Sequence, residues 1–234
     1  MTDASAPASR IVPFMQATTY QRLREAIRAD IVAGTFAPSE HLKMAALVQR
    51  YGTSPAPIRE ALGQLEGEGW IEILPNRGAR VRSIERAFIR ELFEIRLALE
   101  PPLAGYSAAV ATARDIDALW AIHKDYAAAI RQGNSAAISA TNGAFHTSIL
   151  SIRPNRSALV LLDQHNAFVG ATRRRFGFPD HRLAAMVPEH EAIIEACARN
   201  DATVVRRLMR AHIQRSIDEL IPRLPGSDPD HSER

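Results

Sequence analysis

Apolar residues recur at three- and four-residue steps from Thr18 to Gly34, at Tyr20, Leu23, Ile27 and Ile31, which predicts an amphipathic helix closed by Gly34. Leu42, Ala46 and Leu47 predict a short second helix ending near Tyr51-Gly52. Beyond a tight turn, Ser54 offers an N-cap, and Pro55 suits the first helical position, where a missing N–H costs nothing. Ile58, Leu62 and Leu65 then mark the buried stripe of a third helix running to about Glu68. The period changes after Gly69. Trp70 to Leu74 and Ala79 to Arg82 have strand character, with Ile71 and Ile73 on one face, and Pro75-Asn76-Arg77-Gly78 supplies a turn between them.

After Ser83 only helical spacing remains, as in Leu92, Ile95 and Leu99, or Ile116, Leu119, Ile122, Tyr126 and Ile130. Breaks are expected at Pro101-Pro102, Gly133-Asn134, Arg153-Pro154-Asn155, Gly177 to Asp180, and Asn200-Asp201. The fold class predicted is mainly α. Residues 17–83 form an N-terminal winged helix-turn-helix with a small β-hairpin wing, and residues 84–223 an antiparallel bundle of six or seven helices. Residues 1–16 and 224–234, rich in small and polar residues, read as flexible tails.

Composition adds exclusions. With 234 residues, 46% of them hydrophobic, the chain can bury cores without disulfides, and its single cysteine, Cys197, sits in an apolar stretch as buried filler. No run approaches the roughly 18 apolar residues of a membrane span, and no basic-then-apolar leader opens the chain, so a cytoplasmic protein without membrane contact is expected. The formal charge of +3 is too small to argue for nucleic acid by itself. The local signal is stronger: Arg77, Arg80 and Arg82 cluster on the hairpin with no acid among them.

This order of elements suits double-stranded DNA. A helix entering the major groove presents its N-terminus and side chains to phosphates and bases, and a basic hairpin reaches the backbone or minor groove. Arg59, opposite Ile58 and Leu62, is placed to meet a phosphate or a guanine. The stretch Thr53-Ser54-Pro55-Ala56-Pro57-Ile58-Arg59-Glu60-Ala61-Leu62, followed by Arg77-Gly78-Ala79-Arg80-Val81, resembles the DNA-binding domain of the GntR family. The resemblance implies that Ser54, Pro55, Ala56, Arg59, Arg77 and Gly78 lie at or near DNA, and Arg80 joins them from the hairpin cluster. Two positions depart from the family pattern: Pro38-Ser39 replaces Pro-Gly, and Ala45 stands where many relatives carry an operator-reading arginine.

In the helical part, Asn142 and His146 are four apart on one helix face, His190 follows Pro188 as a first-turn residue, and His212 lies within the last helix. Three imidazoles and an amide oxygen could hold a divalent transition metal, or the histidines could simply be packed. His41, His123, His181 and His231 read as surface or packing residues, and so does His165. The segments Asn142 to His146, His190 to Ala196, and His212 resemble the effector domain called FCD, of the FadR-like branch of the same family. That resemblance implies a metal such as Zn, Ni or Mn on Asn142, His146, His190 and His212, with Asn at the first position where Asp is commoner. Arg96 matches a family arginine beside the effector cavity and could equally pair with Glu100 or Glu94. In Arg173-Arg174-Arg175 a solvated helix end is expected, the alternative being that the run contributes one arginine to the cavity.

The function implied is a ligand-responsive transcription regulator, a repressor that binds a two-fold operator as a homodimer and senses a small carboxylic acid at the metal. The chain is not expected to be an enzyme. Two other readings stay open: an apolar or acyl effector with structural histidines, and a metal-dependent hydrolase with a DNA anchor, for which Glu189 or Glu191 beside His190 would have to act as base.

Overall fold

The computed structural model describes residues 19–75 and 77–226, which form two compact units parting between Arg82 and Ser83. The expected tails at 1–16 and past residue 226, Asn76 of the turn, and His231 lie outside the described residues.

The first unit contains α1 (Thr19–Ala33), β1 (His41–Leu42), α2 (Met44–Tyr51), α3 (Pro55–Gly67), β2 (Ile71–Leu74) and β3 (Gly78–Val81). Leu23 and Ile27 of α1, Leu47 of α2, and Ile58, Ala61, Leu62 and Leu65 of α3 are buried together with Trp70, so the helical period becomes one small core. The sheet has three antiparallel strands in the order β1-β3-β2 rather than the expected hairpin alone, with Leu42 opposite Ala79 and Glu72 opposite Arg80. A strand of two residues has no room to show alternation. Gly78 is fixed by this extra strand. Its φ is +90°, and a Cβ there would overlap the Leu42 carbonyl oxygen. Ser39 adopts a glycine-like φ of +66° in a turn closed by Glu40 N–H to Ala37 O at 3.0 Å. The serine at this position costs about 1–2 kcal/mol of backbone strain, offset in part by its own N–H bonding Val81 O at 3.0 Å.

The second unit is a bundle of six helices among the described residues: α4 (Arg86–Ala108), α5 (Ala113–Arg131), α6 (Ser135–Ser151), α7 (Arg156–Phe176), α8 (Asp180–Ala198) and α9 (Ala202–Leu220). Four of the six starts, those of α5, α6, α7 and α9, are capped by side chains. Thr112 and Asp115 form a reciprocal capping box, and Asn134, Asn155 and Asp201 each accept from the amide three residues on.

Pro101-Pro102 does not break the chain as expected, because α4 runs through both prolines. Proline leaves the carbonyl four residues earlier without its helical donor. Arg210 Nη2 of α9 supplies one to Leu97 O at 3.4 Å. Pro188 likewise lies inside α8, so His190 sits in mid-helix and not in a first turn. The expected tail from residue 224 also starts too early: Leu224 is buried, and its carbonyl accepts Arg86 Nε at 2.8 Å. No helix among the described residues is long and apolar enough to cross a membrane.

Candidate functional site

The first unit carries an exposed surface built on the start of α3. Ser54 occupies the N-cap with extended backbone, yet its hydroxyl makes no capping bond. Pro57 at the third helical position removes one of the two N–H groups that an N-cap hydroxyl can accept from. Ser54, Pro55, Ala56 and Arg59 are all exposed, and Arg59 enters no salt bridge among the described residues. The three wing arginines separate. Arg80 Nη2 is spent on its cross-strand neighbour Glu72 at 2.6 Å, and Arg82 Nε donates to Gly69 O at 2.6 Å. Arg77, exposed at the turn, has no such tie. Ala45 is exposed on α2 and offers only a methyl group.

In the second unit three helices bring His146 (α6), His190 (α8) and His212 (α9) together, each at most 1% exposed, with one ring nitrogen from each lying within 4.8 Å of the others. His146 Nε2 and His212 Nε2 are 3.3 Å apart. Their opposite nitrogens are anchored: His146 Nδ1 lies 2.7 Å from Glu100 Oε2, and His212 Nδ1 lies 2.6 Å from Glu189 Oε2. An ionised carboxylate can only accept, so each Nδ1 carries the proton and each Nε2 turns a lone pair toward the other. Arg182 Nη2 also approaches His212 Nδ1, at 3.4 Å. The shorter, oppositely charged carboxylate contact sets the proton.

The protonation states agree with this geometry. Burial opposes the charge on Glu100, but Arg96 and His146 outweigh it and hold the carboxyl well below the usual carboxylate range. Burial also opposes charge on Glu189, yet hydrogen bonds from His212 and Arg182 bring it down to about 2. For the imidazoles, burial lowers His212 to about 4 against the pull of Glu189, and burial with the neighbouring His212 also holds His190 well below its ordinary value, so both rings are neutral at neutral pH. His190 is held differently from the other two. It lies between Phe145, stacked at 4.0 Å between ring centroids, and Tyr126 at 4.8 Å, and neither of its nitrogens has a hydrogen-bond partner. Asn142 Oδ1, one turn before His146, is likewise buried and unpartnered.

Buried polar atoms without partners are rare and point to something that completes them. Two facing Nε2 lone pairs 3.3 Å apart, a third neutral imidazole and an amide oxygen fit a divalent metal, whose nitrogen ligands stand about 2.0–2.1 Å from the ion. The three histidines singled out in the sequence meet at this place, although His190 arrives there from mid-helix, and Asn142 lines the cavity with His146 and His212. Two orienting residues, Glu100 and Glu189, were not singled out as such. Glu189 is committed to His212, Arg182 and Arg215, which leaves it unable to serve as a free base.

Beside the histidines a small cavity of about 30 Å³, open on one side to solvent, is lined by Arg96, Asn142, His146, Arg173, Phe178 and His212 among others. Arg96 lines this cavity and pairs through Nε with Glu100. Arg173 contradicts the expected solvated helix end. It is 3% exposed, its Nη2 donates to Ser216 O at 3.0 Å, its guanidinium lies over Phe178, and its Nη1 has no partner. Burial, with Arg182 nearby, pushes it down to about 9, and it remains charged at neutral pH. A positive charge thus sits at a polar cavity wall with Glu219 pulling it upward only in part and no salt bridge to it among the described residues. Its place on the helix was readable, because Leu162, Val169 and Arg173 follow one another at seven and four residues on one face.

Residues 19–81 match the bacterial regulatory proteins of the gntR family, and residues 91–215 match the FCD domain. The chain is 25% identical over 202 residues to the uncharacterized HTH-type transcriptional regulator YdhC of Bacillus subtilis, covering 86% of this chain and 90% of that protein. It is 28% identical to the HTH-type transcriptional repressor RspR of Escherichia coli K12, covering 83% and 85%. The solved structure of E. coli McbR/YncC superposes with a TM-score of 0.75 at 18% identity, covering 88% of this chain and 99% of that one, which establishes the fold. These relatives are regulators of transcription, not enzymes. The chain therefore belongs to the GntR family of bacterial transcriptional regulators, DNA-binding proteins that here carry an FCD domain as the second unit.

Proposed function

We propose that this regulator is a cytoplasmic repressor, working as a homodimer on a two-fold operator and releasing or holding it in response to a small organic acid bound beside a divalent metal. The observation that carries the sensing half is the buried trio of His146, His190 and His212, two of them oriented by carboxylates and one left unpartnered. Asn142 and the three histidines would hold the metal, which supplies a Lewis-acidic position for a ligand oxygen. Arg173, with Arg96, supplies the charge that a carboxylate needs in a cavity whose wall is already positive. Two arginines in that wall speak against an apolar or acyl ligand. An acid can act on DNA binding only by differing in affinity for two states of the protein. Ser54, Pro55, Ala56, Arg59 and Arg77 form the DNA-facing set, with Gly78 shaping the wing and Arg80 held back by Glu72.

A thermal-shift screen of small carboxylic acids with Zn²⁺, Ni²⁺ or Mn²⁺ tests this reading, and Arg173→Met makes it discriminating. Without any acid, the substitution is expected to stabilise the protein by about 1–3 kcal/mol, because it removes a buried charge that no salt bridge among the described residues neutralises. It should also weaken acid binding by about 10-fold or more, the worth of a charge-assisted hydrogen bond, while the metal-induced shift persists. A variant that is destabilised yet still binds acid like the wild type would remove Arg173 from the site.

A further inference from the structure

Glu100 lies where the cavity wall and the histidine cluster meet. Its carboxylate is fully buried, with Oε1 receiving Arg96 Nε and Oε2 receiving His146 Nδ1 at 2.7 Å. Glu189, its counterpart on His212, shares its charge with Arg182 and Arg215, neither of which lines the cavity. His190 has no carboxylate at all. Of the three imidazoles, His146 is the one joined through a single side chain to an arginine of the cavity wall.

We propose that Glu100 is a positioning residue that couples the two ligands of this domain: one oxygen orients His146 toward the metal, the other restrains Arg96, and each ligand alters the other's affinity through it. The inference rests on the metal reading above. A cation at His146 Nε2 draws electron density from the ring and makes Nδ1–H a stronger donor. Glu100 has one negative charge to share, so what is drawn toward His146 is withdrawn from Arg96, whose guanidinium then has more to offer a carboxylate in the cavity. The effect runs equally in reverse. A carboxylate on Arg96 returns Glu100 to His146 and raises the basicity of that ligand. The coupling is therefore positive.

The test uses the full-length protein with Co²⁺ alone as probe, its visible absorption reporting the ligand set and a competing chelator giving the affinity. Glu100→Gln is expected to weaken Co²⁺ binding about 10–100-fold, the range for loss of a ligand's orienting partner. Arg96→Gln, which frees Glu100 for His146, is expected to tighten it several-fold. The double variant should bind like Glu100→Gln, because Arg96 has no route to the metal once Glu100 is gone. Wild-type affinity and spectrum in Glu100→Gln, or additive effects in the double variant, would overturn the coupling while leaving the metal site standing. Should Glu100→Gln fail to fold by circular dichroism, Arg96→Gln against the double variant carries the same decision, and equal affinities there overturn the proposal. A wild-type protein that binds no Co²⁺, or binds it equally well after loss of His190 and His212, defeats the metal reading itself and the inference with it.

Discussion

Replacing His190 and His212 together by alanine is expected to abolish divalent-metal binding while the second unit keeps its helical content. The wild-type trio brings one nitrogen each within 4.8 Å, so the double variant retains only His146 and Asn142 at the site. Loss of an orienting partner alone costs a metal site about 10–100-fold, and loss of two ligands must exceed that range. The fold should survive, because the bundle's core is also carried by buried residues such as Phe93, Leu119, Ile149 and Ile193, which the variant keeps. Its stability will fall, since His190 fills space between Phe145 and Tyr126, and a buried ring lost from a core costs about 3 kcal/mol or more. Elemental analysis after dialysis, with circular dichroism, checks both halves. A variant that keeps a full equivalent of metal would show that these histidines are packing residues.

Arg59→Ala is expected to weaken DNA binding by about 1–3 kcal/mol without unfolding the first unit, because the side chain is exposed at the start of α3 and supports no internal contact among the described residues. Arg80→Ala should cost much less, since that guanidinium is engaged by Glu72 at 2.6 Å. Arg77→Ala should weaken binding evenly across sequences and reduce the salt dependence by about one counter-ion, as loss of a phosphate contact does. Gel-shift titrations at several salt concentrations separate the three. If Arg80 proves the strongest of them, the wing must change partners on DNA, and the division drawn here is wrong.

The elements were legible wherever a period or a cap marked them. Leu23 and Ile27, or Ile58, Leu62 and Leu65, announced their helices, and Asn134, Asn155 and Asp201 announced where helices begin. What escaped depended on contacts between elements. The two residues of β1 show no alternation, and their pairing with β3 exists only once the chain has folded. Pro101 reads as a break because local rules cannot know that Arg210 will reach Leu97 O from a helix more than a hundred residues away. The pairing of Arg80 with Glu72 was open to reading, since a hairpin turning about Asn76 sets those positions opposite each other. The four candidate ligands could be picked out from spacing and resemblance. Their orienting carboxylates could not, because Glu100 meets His146 across 46 positions and Glu189 meets His212 across 23. Of the three consecutive arginines the fold buries only Arg173, the one whose spacing from Leu162 and Val169 places it on their face.

The central claim is that an acid bound at the histidine site changes the grip of the first unit on DNA. The direct test begins with a duplex selected from random sequence on the immobilised protein and an acid found by the thermal-shift screen. Fluorescence anisotropy then gives the DNA affinity of the metal-loaded wild type and of the His190→Ala/His212→Ala variant, each with and without that acid. The account predicts a change of about fivefold or more in the wild type, the lower end of allosteric couplings, and none in the variant, whose basal affinity stays close to normal. An equal response in both proteins would contradict it.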